Sequence, residues 1–216
     1  ILAFWIKNFF YVLLLTTISF LTIVLGYKLA AHYYEAKIQI RLSYIQRFWL
    51  TRTSEIEHLN IRGRKIKKLY LGIIIALFTM LVSAGKFFFT AIYSFDSTPT
   101  RLGHRWRNVT QFEEALISVW GLLSALILLI IFKLASIDKG ITILTWLILW
   151  NLLPIGNLPG GKIFFGSRPL YILTLIFFAF ILFLLPLIPL AAAIPLAILL
   201  ALVITYFYFR YIEYKG

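Results

Sequence analysis

The sequence predicts an all-α, polytopic membrane domain, and three observations carry that prediction. First, 62% of the 216 residues are hydrophobic and only 13% are charged, with a mean hydropathy of +0.92. Soluble domains hold roughly 45–50% apolar and about 25% charged residues, so a water-soluble core has no use for this much apolar surface. Second, the apolar residues gather in long runs. At roughly 20 residues per crossing the length allows about five or six transmembrane segments, within a single integral membrane domain spanning 1–216. Third, the formal charge of +13 sits in the connections between those runs. Basic connections meet anionic lipid head groups and fix orientation in the bilayer, which excludes a nucleic-acid-binding reading of the charge. The chain has no cysteine, and so neither disulfides nor thiolate metal sites.

The first span is expected from about Phe4 to Ala31. It is too long for a signal-peptide core and lacks a small-residue cleavage site, so it is expected to be retained. Its end reads Gly26-Tyr27-Lys28-Leu29-Ala30-Ala31-His32-Tyr33-Tyr34-Glu35-Ala36-Lys37, and helical spacing sets Lys28, His32 and Glu35 along one face. From 37 to 68, nine Lys and Arg face two Glu, interleaved with Ile38, Ile40, Phe48 and Trp49. Apolar, aromatic and basic residues mixed in this way suit an interfacial connection, on the cytoplasmic side by the positive-inside rule. Leu69 to Tyr93 is a further apolar run, either a span or a re-entrant element, whose last residues are aromatic and strand-like. A polar loop is expected over 94–112.

Thr110-Gln111-Phe112-Glu113 has the spacing of a capping box and announces a helix from 110 onwards. Gly121, Ser124 and Ala125 within that helix permit close approach of a neighbour. A second helix from Ile141 leads into Asn151-Leu152-Leu153-Pro154-Ile155-Gly156-Asn157-Leu158-Pro159-Gly160-Gly161. Two Pro and three Gly stop an ordinary spanning helix there, and a broken helix in hydrocarbon must bury its freed backbone groups in protein or line a wet cavity. Any site is therefore expected at this break. Two apolar runs, Leu170 to Leu185 and Leu187 to Phe209, follow across Pro186 and Pro189.

The break resembles the Asn-x-x-Pro-x-x-x-Leu-Asp-Gly motif of the site-2 proteases, intramembrane zinc metalloproteases. Ser118-Val119-Trp120-Gly121-Leu122-Leu123-Ser124 is similar to that family's Ala-Gly-Pro-Leu-x-Asn/Ser helix. Lys28 to Lys37 is similar to its His-Glu-x-x-His-x-x-x-Ala-Lys motif. The resemblance implies a zinc held by two His and an Asp, with the Glu as general base. Here the first His is Lys28, the Glu is Leu29, the Asp is Pro159, and only His32 remains. Catalytic zinc needs three protein ligands and a base for its water. No catalytic residue and no cofactor is therefore assigned, with zinc on His32 as the alternative. The expectation is a pseudoprotease that binds or scaffolds another membrane protein, or a transmembrane helix, through the former active-site cleft. Its expected site residues are Asn151, Pro154, Gly156, Asn157, Pro159, Gly160 and Gly161, with Lys28, His32 and Glu35 as a remnant motif. An active zinc protease with a non-standard site and a structural subunit of a larger membrane complex are the alternatives.

Overall fold

A computed structural model describes residues 2–42, 59–61, 64–66, 71–82, 93–99, 109–155 and 158–210. The protein is mostly helical: α1 (Leu2–Tyr33), α2 (Leu71–Val82), α3 (Gln111–Leu134), α4 (Asp138–Leu152), α5 (Pro159–Gly166), α6 (Arg168–Leu184) and α7 (Leu190–Tyr208). Among the described residues, three stretches are long and apolar enough to cross a bilayer, Asn8–Tyr33, Gln111–Leu134 and Leu190–Tyr208, while α6 is apolar but shorter. At 1.5 Å per residue α3 extends about 36 Å, more than the roughly 30 Å of a hydrocarbon core.

α3 is the central helix, packed against α1, α4 and α5, and α7 packs on α6. Its start is the capping box read from the sequence: the Glu113 amide donates to Thr110 Oγ1 (3.2 Å) and the Thr110 amide to Glu113 Oε2 (2.9 Å). The α1–α3 contact is built on small residues. A Cβ on Gly121 would lie 1.9 Å from the Tyr27 ring, and one on Gly26 would lie 2.3 Å from Ser124 Oγ. That hydroxyl donates to the Thr22 carbonyl across the helix pair at 3.1 Å. At the other end of α1, Lys139 of α4 donates to Asn8 Oδ1 (3.0 Å) and lies over the Tyr11 ring.

Strands interrupt the all-α expectation. β1 (Ala36–Leu42) pairs antiparallel with β4 (Tyr93–Pro99) in the register Ala36↔Pro99 to Leu42↔Tyr93, and β2 (Leu59–Ile61) pairs with β3 (Arg64–Ile66). The basic 37–68 connection thus opens as a strand, and the 94–112 polar loop opens with another. Lys37-Ile38-Gln39-Ile40-Arg41 alternates polar and apolar residues, the period-2 pattern of a half-buried strand. Its partner lies more than fifty residues away, which local composition cannot reveal. The chain enters β1 through Glu35, whose φ of 50° is left-handed and turns the backbone off the end of α1. Of the 69–93 run, α2 covers Leu71–Val82 and Tyr93 begins β4. Residues 43–58 and 83–92 lie outside the described residues.

Candidate functional site at the broken helix

α4 ends at Leu152 and α5 starts at Pro159, so the helix breaks where the Pro and Gly residues require it. The chain crosses on local backbone bonds, Leu153 N–H to Trp150 O, Ile155 N–H to Leu153 O and Leu158 N–H to Ile155 O. Pro at the first position of α5 is favourable, because its fixed φ suits a helix start and its missing N–H would have had no helical partner there. Leu152 is the last residue of α4, and the Tyr171 hydroxyl of α6 donates to its carbonyl at 3.2 Å. Gly160 sits against the same carbonyl: a Cβ there would lie 2.3 Å from Leu152 O. Glycine is therefore required at 160 by the close approach of two backbones.

Asn151, in the last turn of α4, is fully buried at 0% exposure. Its Nδ2 donates to the Leu147 carbonyl at 2.7 Å. Its side-chain amide neighbours the Tyr93 hydroxyl, which in turn neighbours the Tyr27 hydroxyl. None of these three oxygens completes a hydrogen bond of good geometry among the described residues. The two rings are held in place by aromatic neighbours: Tyr27 lies on Phe95 (centroids 4.7 Å) and Tyr93 meets Phe20 edge-on (4.5 Å). Burial pushes the Tyr93 hydroxyl well above its ordinary value, with the neighbouring Tyr27 and Asn151 groups acting against that shift.

Beside this cluster lies Lys162 of α5, an eight-residue helix too short to cross a bilayer. The residue is 8% exposed, and its ammonium donates to the Phe95 carbonyl of β4, lies 3.7 Å from the Phe95 ring centroid and 3.9 Å from Glu114 Oε2 of α3. Glu114 Oε1 accepts from Ser97 Oγ of β4. One side chain thus ties α5 to a strand and to the central helix. Burial pulls the Lys162 ammonium below its ordinary value, while the Glu114 and Asp96 carboxylates push back.

The sequence-predicted residues divide cleanly by place. Asn151, Pro159, Gly160 and Gly161 are buried at the break, whereas Pro154 and Ile155 form its exposed rim; Gly156 and Asn157 lie outside the described residues. Lys28, Leu29, His32 and Glu35 are all exposed, so the remnant motif points away from the core that encloses Asn151. The inward face of α1 carries Ile23, Tyr27, Ala30 and Ala31 instead. The residues around Asn151 do not fit a catalytic zinc. They present phenols, an amide and an ammonium, and no group of three His, Cys, Asp or Glu side chains converges among the described residues.

Sequence reasoning assigned no site role to Tyr27, Tyr93, Lys162 or Glu114. Lys162 did carry a signal, being a lone cation between a broken helix and an apolar run. Comparison of the chain with family models, curated proteins and solved structures finds no match to any of them.

Proposed function

We propose that this chain is a non-hydrolytic, multi-pass membrane protein of site-2-protease-like build that binds or scaffolds another membrane protein at its broken helix. The observation that carries this reading is the ammonium of Lys162, tied to Phe95 O and Glu114 beside the buried Tyr27, Tyr93 and Asn151. A fixed cation with phenols and an amide around it can hold a backbone in place, while no set of three metal-ligating side chains for water activation converges there among the described residues. In this reading the crossings number five or six, and the basic 37–68 connection lies on the cytoplasmic side against anionic head groups.

Because Asn151 is turned inward, contact with a partner falls to the rim, where Pro154 and Ile155 are exposed on a segment fixed from beneath. Ile155→Arg is expected to abolish copurification of a transmembrane partner with the folded protein, and Asn151→Ala to lower thermal stability. Full partner recovery by a well-folded Ile155→Arg protein counts against the reading. The alternative of a zinc protease on His32 is tested by metal analysis: about one equivalent of zinc in the wild type, lost in His32→Ala, overturns the non-hydrolytic proposal.

The burial of Asn151, Gly160 and Gly161 favours a second reading, in which the old cleft is only packed core and the chain is a structural subunit of a larger complex. Stoichiometric copurification that survives Ile155→Arg identifies that case.

A further inference from the structure

Away from the residues of the break, a groove of about 510 Å³ runs between α4 and α6. At one end are Lys133, in the last turn of α3, and Asp138, the first residue of α4; Ser136 of the connecting turn lies between them. From there the groove follows α4 past Thr142 to Trp146, about 12 Å further along the helix, with Leu182 and Leu185 as its α6 wall. α3 is of membrane length and ends at Leu134, so the charged end of the groove stands at a membrane face and the apolar end reaches toward the hydrocarbon. Lys133 and Asp138 form no ion pair among the described residues.

We propose that this groove is a binding site for a phospholipid with a zwitterionic head group bearing a primary amine. Lys133 takes the phosphate, Asp138 takes the ammonium, and one acyl chain lies along Trp146, Leu182 and Leu185. The charge pattern selects the occupant. The groove lining holds one cation and one anion, which match a head group carrying both signs, whereas a glycerol head group leaves the Asp138 carboxylate beside a bare phosphate. A choline head group has the charge but no N–H to donate to that carboxylate. The apolar remainder of the groove, with an aromatic partway down, matches a chain and not a soluble metabolite. The groove shares no lining residue with the break at 151–161.

The test is to reconstitute the full chain in nanodiscs containing equal parts phosphatidylethanolamine, phosphatidylcholine and phosphatidylglycerol. The protein is then extracted in mild detergent, and the retained lipid is identified by native mass spectrometry. Wild type is expected to retain phosphatidylethanolamine about tenfold over either competitor, the scale of one charge-assisted hydrogen bond. Asp138→Asn is expected to erase the preference over phosphatidylcholine while lipid is still retained, and Lys133→Gln to lower retention of all three. Asp138→Glu should keep the preference, which controls for folding. An excess of glycerophosphoethanolamine, a head group without chains, should not displace the lipid. Equal retention of the three lipids by wild type, an unchanged preference in Asp138→Asn, or displacement by the free head group overturns the proposal.

Discussion

The chain interrupts its helices twice with paired prolines, and the two interruptions have little else in common. Between α6 and α7, Pro186 and Pro189 stand exposed with Leu187. The turn there closes on itself, with the Leu187 and Ile188 amides donating to Leu184 O and the Ala192 and Ala193 amides to Pro189 O. Between α4 and α5, Pro154 is exposed but Pro159 is buried, and the break is tied to other elements: the Tyr171 hydroxyl of α6 donates to Leu152 O, and Lys162 of α5 reaches β4 and α3. Proline alone therefore marks where a helix stops, and says nothing about whether the stop is a hinge between two helices or a packed centre. What separates the two is whether distant side chains are committed to the freed backbone, because only such commitments make the break costly to disturb.

Substitutions should respond accordingly. The largest effect is expected at Gly160. Gly160→Val forces a side chain into the Leu152 carbonyl and is expected to cost about 3 kcal/mol or more, seen as loss of folded protein in detergent. Pro189→Ala at the exposed turn should change stability by less than about 1 kcal/mol; comparable losses at the two sites would erase the distinction drawn here.

Lys162→Met comes next, at about 2 kcal/mol, because it leaves the Phe95 carbonyl without its donor and Glu114 without its cation. Glu114 is partly hydrated, so the loss should fall short of that for a fully buried pair. A double-mutant cycle with Glu114→Gln, read by thermal unfolding, should recover part of it. Tyr171→Phe removes only the hydroxyl on Leu152 O and is expected to cost about 1 kcal/mol.

The smallest effect is the pH response. Lys162 has its folded-state pKa below its ordinary 10.5, so the folded state binds fewer protons than the unfolded chain between those two values. Stability from this group therefore rises with pH through that window and levels off above it. Tyr93 acts in the opposite sense, since its raised pKa makes the unfolded chain ionise first and removes stability above its ordinary 10.0. A pH series of melting midpoints should lose its upward limb in Lys162→Met and keep its alkaline fall. A limb unchanged by the substitution would mean that Lys162 is not the titrating group.

Much of this architecture was legible in the sequence, for reasons that differ from element to element. The capping box at Thr110 depends on four consecutive residues and nothing else, and it formed as read. Gly121 and Ser124 signalled a close helix contact, and α1 fills it. The break at 153–158 followed from proline and glycine chemistry alone. The direction of α1 was not legible. Lys28 and His32 are one residue out of step with Tyr27 and Ala31, a rotation of about 100° on a helix. In a soluble protein the polar set would face out and the apolar set in, but a helix bathed in lipid is apolar all round and gives no such cue.

By itself, then, the sequence determined that this protein carries helices long and apolar enough to cross a bilayer, where its central helix starts, and where α4 must end. Those outcomes rest on composition and on bonds between near neighbours. The tertiary structure decided that β1 finds β4, that Tyr27 and not His32 looks toward Asn151, and that Lys162 closes the break. Each of these joins residues dozens of positions apart, and their meeting depends on how whole helices are rotated and packed, which no local pattern encodes.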